Sequence, residues 1–79
     1  MTPNILKYKN YSFFFFSREE SRMHVHVRSS EGEAKFWIKP MIALADYKGY
    51  SERQVRELAR VVKKYEKEIQ KAWESYFGC

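Results

Sequence analysis

The pattern of apolar and polar positions changes period once along this chain. Early on, apolar side chains alternate with polar ones or come in short blocks; from residue 51 they recur every three or four positions. The cleanest alternation is HVHVR at 24–28, which reads as a strand with its valines on one face. After SSEG at 29–32, a turn, EAKFWI at 33–38 reads as the returning strand. Lys39-Pro40 ends it, because proline has no N–H to give a ladder. Upstream, Ile5, Leu6 and Tyr8 mark a short first strand. Lys9-Asn10 is a tight turn, with Asn10 suited to a positive φ, and YSFFFFS at 11–17 is the second strand. REESR at 18–22 is a charged loop. MIALAD at 41–46 fits a short strand or one helical turn; as a strand it points Ile42 and Leu44 inward.

The second half predicts one helix. Ser51 and Gln54 have capping-box spacing, and Tyr50 and Val55 are placed as a hydrophobic staple. Gly78 supplies the stop, and residues 52–77 hold neither proline nor glycine. Such a helix is about 39 Å long. At about 100° per residue, Val55, Leu58, Ala59, Val62, Tyr65, Ile69, Ala72, Trp73 and Tyr76 gather on one side as the core stripe. Arg53, Arg56, Arg60, Lys63, Lys64, Lys67 and Lys71 fall in one arc opposite. The predicted fold is α+β: a four- or five-stranded, mainly antiparallel sheet with one long C-terminal α-helix packed on one face. It forms a single domain, with sheet in 1–46 and helix in 51–77.

The faces of the hairpin follow from the strand period of two. Val25, Val27, Ala34, Phe36 and Ile38 share the core face; His24, His26, Arg28, Glu33, Lys35 and Trp37 share the other. That division holds whether a four-residue loop pairs Arg28 with Glu33 or a two-residue turn pairs Arg28 with Lys35. The run Phe13, Phe14, Phe15 and Phe16 makes both faces of its strand apolar. One of the pairs Phe13/Phe15 and Phe14/Phe16 belongs under the helix. The other joins Trp37 on the side of the histidines, where a single helix leaves the sheet uncovered. A second copy, a protein partner or stacked nucleic-acid bases are the expected occupants of that face.

Composition adds to this picture in three ways. The 79 residues make one small domain, and 18% aromatic content is more than one helix and one sheet face hide, which again implies a partner surface. The net charge of +5 favours nucleic acid or an acidic protein. The single cysteine, Cys79, reads as a terminal thiol in a reducing compartment. With no signal-peptide pattern and no apolar run long enough to cross a membrane, this points to the cytoplasm and to no membrane association.

Two readings of the chemistry stand side by side. His24 and His26, two apart on a strand, point the same way and suit an acid–base pair for ribonuclease chemistry, with Arg28 or Lys35 holding the phosphate. The reading placed ahead of it is a structural or interface pair that hydrogen-bonds to the REESR loop or to a partner. A metal needs three or four ligands; Glu33 is the nearest further donor, and Arg28 and Lys35 repel a cation, so neither a metal nor a cofactor is assigned. The basic arc of the helix reads as a phosphate track or as a solvated face.

The order of motifs is familiar: HVHVR at 24–28, GEAKFWI at 32–38, LAD-x-x-GYS at 44–51 and a helix ending AWESYFG at 72–78. It resembles the small prokaryotic family catalogued as domain of unknown function 4160. The resemblance implies a protein encoded beside another small protein, in an arrangement like a toxin–antitoxin module, with a protein partner and an RNA target. The expected function is a cytoplasmic component of such a two-gene module that binds nucleic acid, with RNA cleavage as a further expectation. The alternative is a non-enzymatic interaction module that dimerises or docks a partner through the aromatic sheet face.

Overall fold

A computed structural model describes residues 4–16 and 21–78. The expected start at Pro3, most of the charged loop at 18–22, and Cys79 lie outside the described residues. Five strands come first: β1 (Asn4–Tyr8), β2 (Tyr11–Phe14), β3 (His24–Arg28), β4 (Glu33–Trp37) and β5 (Ala43–Lys48). Each pairs antiparallel with the next, giving a sheet of order β1-β2-β3-β4-β5. Two helices follow, α1 (Glu52–Lys64) and α2 (Glu66–Phe77).

The β3–β4 hairpin adopts the four-residue loop: Arg28 opposes Glu33, His26 opposes Lys35 and His24 opposes Trp37. Ser29 N–H donates to the Gly32 carbonyl at 3.0 Å to close it. The β1–β2 turn falls at Lys9-Asn10 as expected, but the residue with positive φ is Lys9, at 52°, not Asn10. Its side chain is held there, because Lys9 Nζ donates to Glu57 Oε2 at 2.8 Å.

The fifth strand departs from its expected bounds of 41–46, and the residues expected to point inward are less buried than a core strand's. It runs two residues later, and its register on β4 shifts between Lys35, opposite Asp46, and Phe36, opposite Leu44. The extra residue puts Leu44 and Tyr47 on the same side of the sheet. That side is the helix side, since Leu44 opposes the buried Phe36 and Tyr47 opposes the buried Ala34, but both lie on an edge strand with a neighbour on one side only, so Leu44 stays 41% exposed while Ile42 packs partly against the core.

The single long helix is also corrected to two. Tyr65, with φ −104° and ψ 22°, leaves the helical well between them. Helical bonds still bridge the step: Tyr65 N–H donates to Val61 O at 3.0 Å, and Ile69 N–H to Tyr65 O at 2.9 Å. A straight helix of about 39 Å would outrun the molecule, whose longest extent is 34 Å. The step at Tyr65 lets α2 follow the sheet. It also changes the inward set. Val61 is buried where the uniform stripe left it out, while Tyr76 is 41% exposed and Phe77 packs against the core in its place.

Both ends follow their sequence signals. Gln54 N–H donates to Ser51 Oγ at 3.2 Å and Ser51 N–H to Gln54 Oε1 at 2.9 Å, a complete capping box. Gly78 ends α2 in the left-handed region with φ 74°.

The core lies between the sheet and the helices. Phe13, Val25, Val27, Ile38, Leu58, Val62 and Ile69 are each 0% exposed. Full burial of such a side chain contributes roughly 1.5–3 kcal/mol before ordering costs. Phe13 and Phe15 are therefore the pair beneath the helices, and of the four phenylalanines only Phe14 and Phe16 are left to join Trp37 on the other face. Tyr50 fastens the entry to α1: its hydroxyl donates to Gly32 O at 2.8 Å and accepts from Ser29 Oγ at 2.8 Å. Gly32 and Gly49 meet beside it, where a Cβ on Gly49 would stand 2.3 Å from Glu31 O. Gly49 also has φ 87°, so glycine is required there on both counts.

Candidate nucleic-acid interface

The buried stripe of each helix decides where its cations go. In α1, Val55, Leu58, Val61 and Val62 are buried; in α2, Ile69 and Trp73. Arg53, Arg56, Arg60, Lys63 and Lys64 of α1, and Lys67 and Lys71 of α2, are all exposed. At helical spacing each set lies opposite its own helix's buried stripe, so the step at Tyr65 leaves the cations facing away from the sheet. Arg56 meets Glu52 one turn earlier at 3.9 Å, and Lys64 lies 5.4 Å over the Tyr65 ring.

One acid at the margin of this surface is tied elsewhere. Glu57 Oε2 accepts from Lys9 Nζ and from the Tyr8 hydroxyl, both at 2.8 Å, linking the β1–β2 hairpin to α1. Those bonds hold the Glu57 carboxyl below the ordinary glutamate range, Lys9 first and Tyr8 second. The same bond to Glu57 raises Lys9 and, with burial, Tyr8.

The other face of the sheet carries the remaining predicted residues. Register places Phe14, His26, Lys35 and Asp46 in one row across four strands, and Ser12, Arg28, Glu33 and Lys48 in the next. The aromatic rings there cover one another. Phe14 stacks on His26 with centroids 5.7 Å apart, Phe16 meets His26 edge-on at 4.4 Å, and Arg28 lies 5.1 Å over Phe14. Trp37 carries two cations, Arg22 at 4.1 Å and Lys35 at 4.5 Å from its centroid. Arg22 also donates through Nε to the Lys39 carbonyl at 2.8 Å, which anchors it beside the ring. Phe14 is only 6% exposed in consequence. Phe16, His26, Lys35 and Asp46 border a shallow concavity of about 260 Å³ on this face.

The two histidines are adjacent but unequal. Their rings meet edge-on at 5.2 Å. His24 is 0% exposed, wedged against Trp37 and against Trp73 of α2, and its Nδ1 lies 2.6 Å from the Arg22 carbonyl. A carbonyl only accepts, so Nδ1 carries the proton. His26 is half-buried. An acid–base pair needs both imidazoles within reach of one phosphodiester, and only His26 borders the surface. Arg28 and Lys35, expected to hold a phosphate, lie over Phe14 and Trp37, and Arg28 also meets Glu33 at 3.8 Å. Among the described residues no group of three or more His, Cys, Asp or Glu side chains is arranged to hold a metal ion.

Two features of the surface escaped the sequence. Arg22 stood in a loop with no periodicity to aim it at Trp37. A groove of about 530 Å³ between the β4–β5 connection and the helices is lined by Met41, Ile42, Ala59, Arg60, Lys63 and Glu66. Its two walls are far apart in sequence, so no local pattern announces it.

The whole arrangement is that of a small α+β protein with a basic helical layer over one face of an antiparallel sheet. The profile of a family described as "Domain of unknown function (DUF4160)" matches residues 10–74, and the chain belongs to that family. None of the curated proteins and none of the solved structures matches it. No helix among the described residues is long and apolar enough to cross a membrane.

Proposed function

We propose that this protein binds nucleic acid through the outward cations of α1 and α2, as one component of a two-gene, toxin–antitoxin-like module. The observation that carries the proposal is the segregation of charge. Every Arg and Lys of the two helices is exposed and lies opposite the buried stripe, so the cations form one track. Solubility requires charge but not its confinement to one side; a polyanion with regularly spaced phosphates is the partner such a track complements. The role assigned is binding, without hydrolysis by the histidine pair, because His24 is enclosed between two tryptophans.

The test is fluorescence anisotropy of a mixed-sequence RNA titrated with the protein over a range of salt. Affinity should fall with a log–log slope of about −0.7 per phosphate contacted. Arg60→Glu with Lys67→Glu should weaken binding to all sequences alike and flatten that slope. No measurable binding at low salt removes the proposal.

A second reading keeps the alternative of a protein-docking sheet face. What favours it is Trp37, half-buried and bracketed by Arg22 and Lys35 on the sheet face opposite the one on which α1 packs. A protein encoded beside this one that copurifies with wild type and is lost from Trp37→Ala would support it. Retention by Trp37→Ala would remove it.

A further inference from the structure

We infer that the groove between the β4–β5 connection and the helices receives an unstacked base, so that the preferred ligand of the cationic track is single-stranded nucleic acid. This rests on the track proposed above and gives it a substrate class. The groove has a floor and a rim of different chemistry. Met41 and Ile42 come from the connection, and Ala59 from α1; Met41 is 69% exposed, so its thioether is open to a ligand. Arg60 and Lys63 stand at the rim, and both belong to the track. A strand lying along the helices thus has phosphate partners at the mouth of an apolar recess. A volume of about 530 Å³ lies within the roughly 300–1,000 Å³ usual for small-ligand sites, and the recess is open on one side.

Charge complementarity selects the occupant. An apolar ligand alone leaves Arg60 and Lys63 unused. A duplex leaves the apolar floor empty, because its bases are stacked and paired. A splayed nucleotide uses both: its phosphate meets the cations and its base lies on Met41, Ile42 and Ala59.

Glu66 gives the recess a preference among bases. Ala59, Lys63 and Glu66 are spaced i, i+4, i+7, so they share one side of the helical run and all line the groove. Glu66 is half-buried, and Gln70 Nε2 donates to its Oε2 at 3.1 Å, which fixes the carboxylate in place. A fixed carboxylate accepts from the exocyclic amino group of cytosine, adenine or guanine, whereas uracil and thymine offer it only the single ring N3–H.

The experiment compares a mixed-sequence RNA strand, the same strand annealed to its complement, and homopolymers of cytidine and uridine in RNA and DNA form. Wild type should bind the single strand more tightly than the duplex and the cytidine polymer more tightly than the uridine polymer. RNA and DNA should rank alike if the base is what is read. Met41→Ser, at an exposed position that folding tolerates, should weaken single-strand binding about tenfold, the lower end of what a lost apolar pocket contact carries, and leave duplex binding unchanged. Glu66→Gln should abolish the cytidine preference while circular dichroism and melting remain those of wild type.

Equal binding of strand and duplex, insensitive to Met41→Ser, overturns the groove assignment; steep salt dependence in the same titrations leaves the helical track standing. Absence of salt-dependent binding altogether overturns both. A polyglutamate peptide that binds in place of RNA and is lost in Met41→Ser assigns the groove to an acidic protein, and likewise overturns the inference.

Discussion

The two faces of the sheet solve one problem in different ways. On the covered face, Phe13 and Phe15 are closed off by helices, and Phe15 meets Trp73 edge-on at 5.2 Å. On the open face, Phe14 and Phe16, their immediate neighbours, lie away from α1 and α2 and are covered by His26, Arg28 and each other. The first is a dry layer driven by area removed from water. The second is a thin sheath in which cationic and imidazole side chains lay their flat or apolar parts over rings while their polar tips reach water. An aromatic block on a strand therefore does not by itself signal an empty docking surface, because its flanking cations shield part of it.

The largest test of that contrast is a pair of truncations. Phe15→Ala opens a cavity in the covered layer and should cost about 3–5 kcal/mol in urea unfolding. Phe16→Ala removes a partly exposed ring from the sheath and should cost roughly 1 kcal/mol. Equal losses would mean that the open face is as much a core as the covered one.

Next come the histidines, which sit where the two faces meet. His24→Ala should cost about 2–3 kcal/mol, since it leaves a gap between two tryptophans and strands the Arg22 carbonyl. His26→Ala should cost less than about 1 kcal/mol. A reversed order, read from urea midpoints at constant m-value, would break the assignment of His24 to structure.

A smaller effect sharpens the description of the sheath. Arg22→Ala should lower stability by about 0.5–1 kcal/mol through its contact with Trp37. Tryptophan fluorescence should shift as that ring gains water, and Arg22→Lys should restore only part of the signal. An unchanged spectrum would show that the guanidinium does not shield the ring.

The smallest test uses pH at the rim of the covered side. Glu57 has its pKa lowered in the fold, so the unfolded chain takes up that proton first as pH falls. Its contribution is present above the ordinary glutamate pKa of about 4.3 and is lost below it. Glu57→Gln should flatten the acid limb of the stability profile and leave the profile near neutrality parallel to wild type. An acid limb identical in both proteins would show that the link to Lys9 and Tyr8 contributes nothing.

Much of the fold was legible in local sequence, for reasons that are themselves local. HVHVR and EAKFW assign their own faces because a strand turns successive side chains to opposite sides. Ser51, Gln54 and Gly78 mark helix ends because unpaired backbone groups there need partners within a few residues. The cationic track was legible for the same reason, since helical spacing alone groups those seven residues. What the sequence could not decide was which of two equally apolar Phe pairs went inward, that Tyr65 divides the helix, and that β5 takes an extra residue between Asp46 and Leu44. Each depends on how far one element must bend or slip to fit another, a distance that exists only once the sheet and the helices have met. The burial of His24 and the groove beneath Met41 belong to the same class. His24 of β3 is closed in by β4 and α2, and the groove by a loop, α1 and α2, and only packing brings those segments together.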